Sequence, residues 1–146
     1  MSQEEMKQLL MALKSIDRQV TQCFEKSTNM SLTRYEMLQQ LYHHGKMVQS
    51  DLRDVLKIDQ AAITRHLKIL EQEGFVERQR NAHNNREVFV QLSMAGRQQL
   101  SGCSCNRTQF FDELYRGFSA EDFAQLQNFI ARLNDNVTTM KEGRIQ

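Results

Sequence analysis

Residues 60–68 read Gln60-Ala61-Ala62-Ile63-Thr64-Arg65-His66-Leu67-Lys68, and they carry the most informative chemistry of the chain. At helical spacing Ile63, Leu67 and Leu70 share one face. Gln60, Ala61, Thr64, Arg65 and Lys68 then fall on the opposite face or at the N-terminal end. Such a face suits a reader of the DNA major groove. Gln60 can donate to and accept from an adenine edge, and Arg65 can pair with guanine. Thr64 offers a hydroxyl and a methyl, while Ala61 and Ala62 let the backbone come close and can touch thymine methyls. Lys68 is better placed for phosphate. Taken alone, the same residues describe an ordinary solvated helix face, and the segment that follows tips the balance. Arg78, Arg80 and Arg86 flank the polar loop Asn81-Ala82-His83-Asn84-Asn85, with Glu77 and Glu87 beside them. A guanidinium at a hairpin tip can enter a minor groove, where negative potential concentrates. Asn81 and Asn85 are expected to shape the turn, with Asn84 and Arg86 on the DNA side.

The thiols and imidazoles are less informative. Cys103 and Cys105 sit two residues apart, with Cys23 distant in sequence. On a continuous helix, residues two apart point about 200° away from each other and cannot share one ion. A helix broken at Gly102 would relax that restriction. As redox groups these thiols would need depressed pKa values, and Arg107 is the cation nearest in sequence. Inert thiols, redox-responsive thiols and metal ligands stay open in that order, and no metal or cofactor is expected. His43 and His44 sit at a helix end where the helix dipole explains them. His66 and His83 are expected to face DNA or solvent.

The elements that must position these groups follow from apolar spacing. Met6, Leu9, Leu10, Leu13, Ile16, Val20 and Phe24 form one stripe on a helix running to about Lys26. Thr33-Arg34-Tyr35-Glu36 reads as a capping box opening a second helix that Gly45 ends. A short helix from Gln49 to Leu56 turns Leu52, Val55 and Leu56 inward. Asp59 caps the helix from Gln60 to Glu73, which Gly74 closes. Two strands follow, Phe75 to Arg80 and Arg86 to Leu92, and Ser93 caps another helix. Phe110, Phe111, Leu114, Tyr115 and Phe118 form a further amphipathic stretch. Ser119, with Asp122 three residues on, opens a last helix bearing Phe123, Leu126, Ile130, Leu133 and Val137. Helix, helix, turn, helix, hairpin is the order of a winged helix-turn-helix. The expected class is mainly α with a small β wing. Residues 31–95 are the DNA-binding part, and residues 1–30 and 96–146 are a helical dimerisation region, all in one continuous unit. The two terminal stripes suit a helical homodimer interface, because so small a domain has little core of its own to cover them.

Composition bounds the rest. The chain has 146 residues, 19 Lys+Arg against 18 Asp+Glu, and a net charge of +1. That near-neutrality excludes a protein that coats nucleic acid by bulk electrostatics. It leaves room for a reader whose few cations sit together. Hydrophobic residues make up 40% and charged residues 25%, which argues against disorder. Proline is absent, so nothing breaks the helices. No apolar run approaches the roughly 20 residues of a membrane span, and the first residues do not resemble a signal peptide. A cytoplasmic protein without a membrane partner is expected.

The stretches "LTRYEMLQQL", "VQSDLRDVLKIDQAAITRHLKILEQEGFVER" and "NNREVFVQLSMAGRQQL" resemble, in order and spacing, the second helix, helix-turn-helix and wing of the MarR family of bacterial transcription regulators. The resemblance implies a homodimer whose recognition helices enter successive major grooves of a palindromic operator in double-stranded DNA, with the wings on flanking minor grooves. It assigns Gln60, Ala61, Ala62, Thr64, Arg65 and Lys68 to the recognition helix. It assigns Arg78 to the first wing strand and Arg86 to the last arginine of the family's Asp-Arg-Arg wing signature. Two positions depart from the family pattern. Asn84 replaces the acid that braces the wing, and Val48 stands where a capping Thr is usual. The family also implies release of DNA by a small molecule, an oxidant or a metal. Met11, Met30, Tyr35, Met37, Phe110 and Phe111 are the candidate lining of a pocket for a small aromatic ligand, and Cys23, Cys103 and Cys105 are the candidate redox groups. The expected function is a non-enzymatic, homodimeric repressor. The rivals are a helical protein-interaction module without DNA binding and, further off, a thiol-based enzyme. The enzyme lacks a recognisable nucleophile–base pattern, Gly-rich phosphate loop or Cys-x-x-Cys motif.

Overall fold

The computed structural model describes residues 1–84, 86–102 and 105–144. In chain order the elements are α1 (Gln3–Thr28), α2 (Leu32–His44), β1 (Met47–Val48), α3 (Gln49–Leu56), α4 (Gln60–Gln72), β2 (Val76–Arg80), β3 (Val88–Leu92), α5 (Met94–Ser101), α6 (Cys105–Leu114) and α7 (Ala120–Gly143). The chain is therefore mainly helical with one small sheet. Residues 1–110 and 111–146 form two compact units.

Within residues 1–110 the core is built around α4. Ile63, Leu67 and Leu70 are fully buried against Met37, Leu38 and Leu41 of α2, Leu52 of α3, Val76 of β2 and Val90 and Leu92 of β3. The three strands are antiparallel in the order β1-β3-β2. Register pairs Val76 with Leu92, Arg78 with Val90 and Arg80 with Val88. Because side chains alternate along a strand, Arg78 falls on the same face as the buried Val76 and Val90, toward α4. Phe24 is also fully buried. Its ring lies 5.2 Å from both Tyr35 and Phe110, edge-on to the latter.

Local chemistry sets the helix ends. Asp59 Oδ1 accepts from the Ala62 N–H at 2.7 Å, satisfying one of the orphan donors of the first turn. Gly74 takes φ +81°, the left-handed conformation that glycine adopts without steric cost. α3 starts after Val48 with no side-chain cap. α5 ends at Gly102, where Arg107 Nη2 donates to the carbonyls of Gln99 and Gly102 at 2.9 and 3.2 Å.

Several local expectations need correcting. The cap of α2 is Ser31, whose Oγ accepts from the Arg34 N–H at 3.3 Å. Thr33 therefore lies inside the first turn and does not open the helix. Val55 is exposed, because the eight-residue α3 buries only the narrow stripe around Leu52. The strands are shorter than expected, and β1, pairing Met47 with Val90 and Val48 with Phe89, is an addition.

In residues 111–146, Ser119 and Asp122 form a reciprocal capping box at the start of α7. No residue of α7 is buried. Phe123 and Leu126 are each 37% exposed, and Ile130, Leu133 and Val137 more so. Met6, Leu9, Leu10 and Ile16 of α1 are exposed as well.

Candidate nucleic-acid interface

α4 presents the predicted face. Gln60, Ala61, Thr64, Arg65 and Lys68 are exposed, and Ala62 is half-buried at its edge. These residues lie opposite Ile63, Leu67 and Leu70, so the core fixes which side chains point outward. The helix is also tied along both flanks. On one side Arg34 Nη1 of α2 lies 3.4 Å from His66 Nδ1. Burial, with Arg34 and then Arg65 nearby, pushes the His66 pKa below its ordinary 6.5. The lowered pKa favours the neutral ring, whose Nδ1 accepts a hydrogen bond from the guanidinium. On the other flank Arg78 Nε and Nη2 each donate to a Glu71 carboxylate oxygen at 3.2 Å. That hydrogen-bonded guanidinium holds the Glu71 carboxyl below its usual 4.5.

A third set of bonds joins α3 to the start of α4. Arg53 Nη1 donates to Gln60 Oε1 at 2.8 Å, and Gln60 Nε2 donates to Thr64 Oγ1 at 3.3 Å. Gln49 Nε2 donates to the same hydroxyl at 3.4 Å. Arg34, Gln49, Arg53 and Glu71 were not recognisable in the sequence. Each acts across elements, and none sits at a spacing that marks it.

The hairpin loop is shaped by its asparagines. Asn81 donates twice to Glu87, its N–H to the backbone carbonyl at 2.9 Å and its Nδ2 to Oε2 at 3.0 Å. Asn81 Oδ1 accepts from the His83 N–H at 2.9 Å, and Asn84 Oδ1 from the Arg86 N–H at 3.1 Å. Both are Asx-type turns. Asn84, expected on the DNA side, therefore also supports the turn that presents Arg86. Its amide carbonyl supplies an acceptor where the family pattern has an acid. Arg80 and Arg86 are exposed, whereas Arg78 is drawn onto Glu71. Asn85 lies outside the described residues.

Within residues 1–110 the candidate pocket residues have different surroundings. Met37 is a core residue, Tyr35 and Phe110 pack on Phe24, and Met11 is exposed on α1. Phe111, in the second unit, is exposed too. Met30 alone of the six lines a cavity of about 380 Å³, together with Ser31, Arg34, Leu70, Glu73 and Gln99. Cys23 and Cys105 are exposed thiols. Cys103 lies outside the described residues. Among the described residues no cluster of three or more His, Cys, Asp or Glu could hold a metal, and no helix is long and apolar enough to cross a membrane.

The sequence model of the MarR family matches residues 30–88, which span α2 to the first residue of β3. The HTH-type transcriptional regulator YdgJ of Bacillus subtilis is 34% identical over 134 residues, covering 92% of this chain and 82% of that protein. The chain belongs to the MarR family. It is a MarR-type, DNA-binding transcriptional regulator. Solved structures share the fold at lower identity. A MarR mutant from E. coli complexed with operator DNA superposes with a TM-score of 0.73 at 22% identity, covering 88% of this chain and 95% of that one. BpsR of Bordetella bronchiseptica, whose DNA binding is regulated by 6-hydroxynicotinic acid, gives 0.77 at 15% identity, covering 87% and 98%. In this MarR-family chain α3 and α4 are the two helices of the helix-turn-helix, and β2 and β3 form the hairpin of the winged-helix fold.

Proposed function

We propose that this chain acts as a homodimeric cytoplasmic repressor that grips a palindromic operator and lets go on a small-molecule or oxidant signal. In this reading residues 31–95 bind DNA, and residues 1–30 and 96–146 make the dimer. Gln60, Ala61, Ala62, Thr64 and Arg65 meet base edges in the major groove, and Lys68 meets phosphate. Arg80 and Arg86, aimed by Asn84, work at the wing. Arg78 contributes by fastening the wing to α4 through Glu71. The observation that carries the reading is an exposed polar and basic helix face held on a buried apolar one, beside a hairpin that turns two arginines outward.

The dimer is supported by the uncovered stripe of α7. Five large apolar side chains at steps of three and four, on a helix that buries none of its residues, call for a partner surface. Two linked recognition helices then explain why a chain of net charge +1 can hold DNA. The second half-site is bound at a high effective concentration.

Selection of duplexes from a random pool tests the reading. Enrichment of a palindrome is expected. Arg65→Ala is expected to lower affinity by about 1–3 kcal/mol and relax the preference at its base, while Arg86→Ala lowers affinity with less effect on preference. Absence of binding at low salt, or equal binding to unrelated duplexes, would refute the proposal. Repeating the assay with aromatic acids, peroxide, a disulfide stressor and zinc identifies the signal. The small-molecule branch is supported by the cavity lined by Met30, Arg34 and Glu73, whose volume is within the range of ligand sites. If oxidants alone released the DNA, and a Cys103→Ser/Cys105→Ser double variant stayed bound, the oxidant branch would hold instead.

A further inference from the structure

The hydrogen-bonding capacity of Thr64 is used up inside the protein. Its hydroxyl donates to the Gln60 backbone carbonyl at 2.9 Å, and it accepts from Gln60 Nε2 at 3.3 Å and from Gln49 Nε2 at 3.4 Å. A hydroxyl has one proton and two lone pairs, so none is left over while all three bonds stand, the proton has no base to donate to, and only the lone pair held by Gln60 can be released. The part of the side chain still available to a partner is the γ-methyl.

Gln49 is the anchored end of this arrangement. It is the first residue of α3 and is only 8% exposed. Its Oε1 is buried and has no hydrogen-bond partner among the described residues. An unpartnered buried amide oxygen is a cost that a leucine in the same place would avoid. The other amide atom, Nε2, is the one that holds Thr64. Gln60 is the mobile end. It is exposed, and its Oε1 is engaged by Arg53, itself bonded to Asp54. When Gln60 swings toward a base edge it gives up its bond to Thr64, whereas the bond from Gln49 remains.

We propose that Gln49 is a positioning residue for base reading: it keeps the Thr64 hydroxyl turned inward, so that Thr64 meets the major groove with its methyl group and selects the 5-methyl of thymine. This rests on the reading of α4 as the base-contacting helix. The hydroxyl, which in principle could bond to any of several bases, is withdrawn from the groove, and the preference at this position narrows to an apolar one.

The test uses the full chain and a duplex selected by it from a random pool, with each thymine replaced in turn by deoxyuridine, which lacks only the methyl. The wild type is expected to lose about fourfold in affinity at one thymine per half-site, the value of burying one methyl group. Thr64→Val should keep that ratio and Thr64→Ser should bring it to one. Gln49→Leu should move the ratio toward one without lowering the thermal midpoint. Loss of the thymine preference in Thr64→Val would overturn the proposal, since the hydroxyl would then be the reader. A wild-type ratio in Gln49→Leu, whatever its overall affinity, would also overturn it, as would a marked fall in its thermal midpoint. Arg65→Ala separates this failure from that of the underlying reading. If no thymine responds while Arg65→Ala still relaxes the selected sequence, the role of Gln49 and Thr64 alone is wrong. If Arg65→Ala leaves the selected sequence unchanged, base reading by α4 falls with it.

Discussion

α4 and α7 are both amphipathic helices with a side-chain cap at the N-terminus, yet their apolar faces meet opposite fates. Ile63, Leu67 and Leu70 of α4 are buried by α2, α3 and the hairpin. The stripe of α7 is as regular and stays exposed along its length. Periodicity states that a face is to be covered and does not state by what. For α4 the cover lies within 40 residues of the same chain. For α7 we assign it to a second copy.

That contrast can be broken from either side. Leu67→Ala is expected to cost about 2–5 kcal/mol, the usual result of a cavity in a closed core. A denaturant melt would show it. Ile130→Glu with Leu133→Glu should leave the melt of residues 31–95 intact and turn a dimer into a monomer by sedimentation. Affinity for a palindromic duplex should then fall about 100-fold or more. A double variant that remains dimeric would place the interface elsewhere.

Smaller changes sharpen the account of how α4 is held. Val48→Thr supplies the missing cap of α3 and should stabilise the chain by about 1 kcal/mol, read as a rise in thermal midpoint. Arg78→Ala should cost less, about 0.2–1 kcal/mol, because both partners remain in contact with solvent. Its sign with pH is fixed by Glu71. A carboxyl held below its ordinary 4.5 in the folded state stabilises fully above that value. The contribution is lost as pH falls through the depressed value. The difference between wild type and Arg78→Ala should therefore be constant at neutral pH and vanish in acid.

Much of the fold was legible because it is local. Gln49–Leu56, the Asp59 cap, Gly74 and the hairpin are each specified by residues within a few positions. The fold misses have a common cause in competition or distance. Ser31 and Thr33 are both of a type that can cap, two residues apart, and Ser31, which lengthens the helix, is the cap. β1 is two residues long and exists only because β3, some 40 residues on, pairs with it. At the site, the exposed face of α4 followed from its buried one, while its fastenings did not. Arg78 was placed on the first wing strand by the resemblance, while its bond to Glu71, set by strand alternation, had no mark in the sequence. The six pocket candidates were grouped by residue type, and among them Met37 belongs to the core and Tyr35 and Phe110 to the Phe24 cluster.

The central claim is that α4 and the wing read a specific DNA sequence. It is tested most directly by anisotropy titration of the protein against its selected duplex and a scrambled duplex of equal composition, over a range of salt. The selected duplex is expected to bind at least 1,000-fold more tightly at physiological salt, with affinity falling steeply as salt rises. Equal affinity for the two duplexes, or binding indifferent to salt, would contradict it.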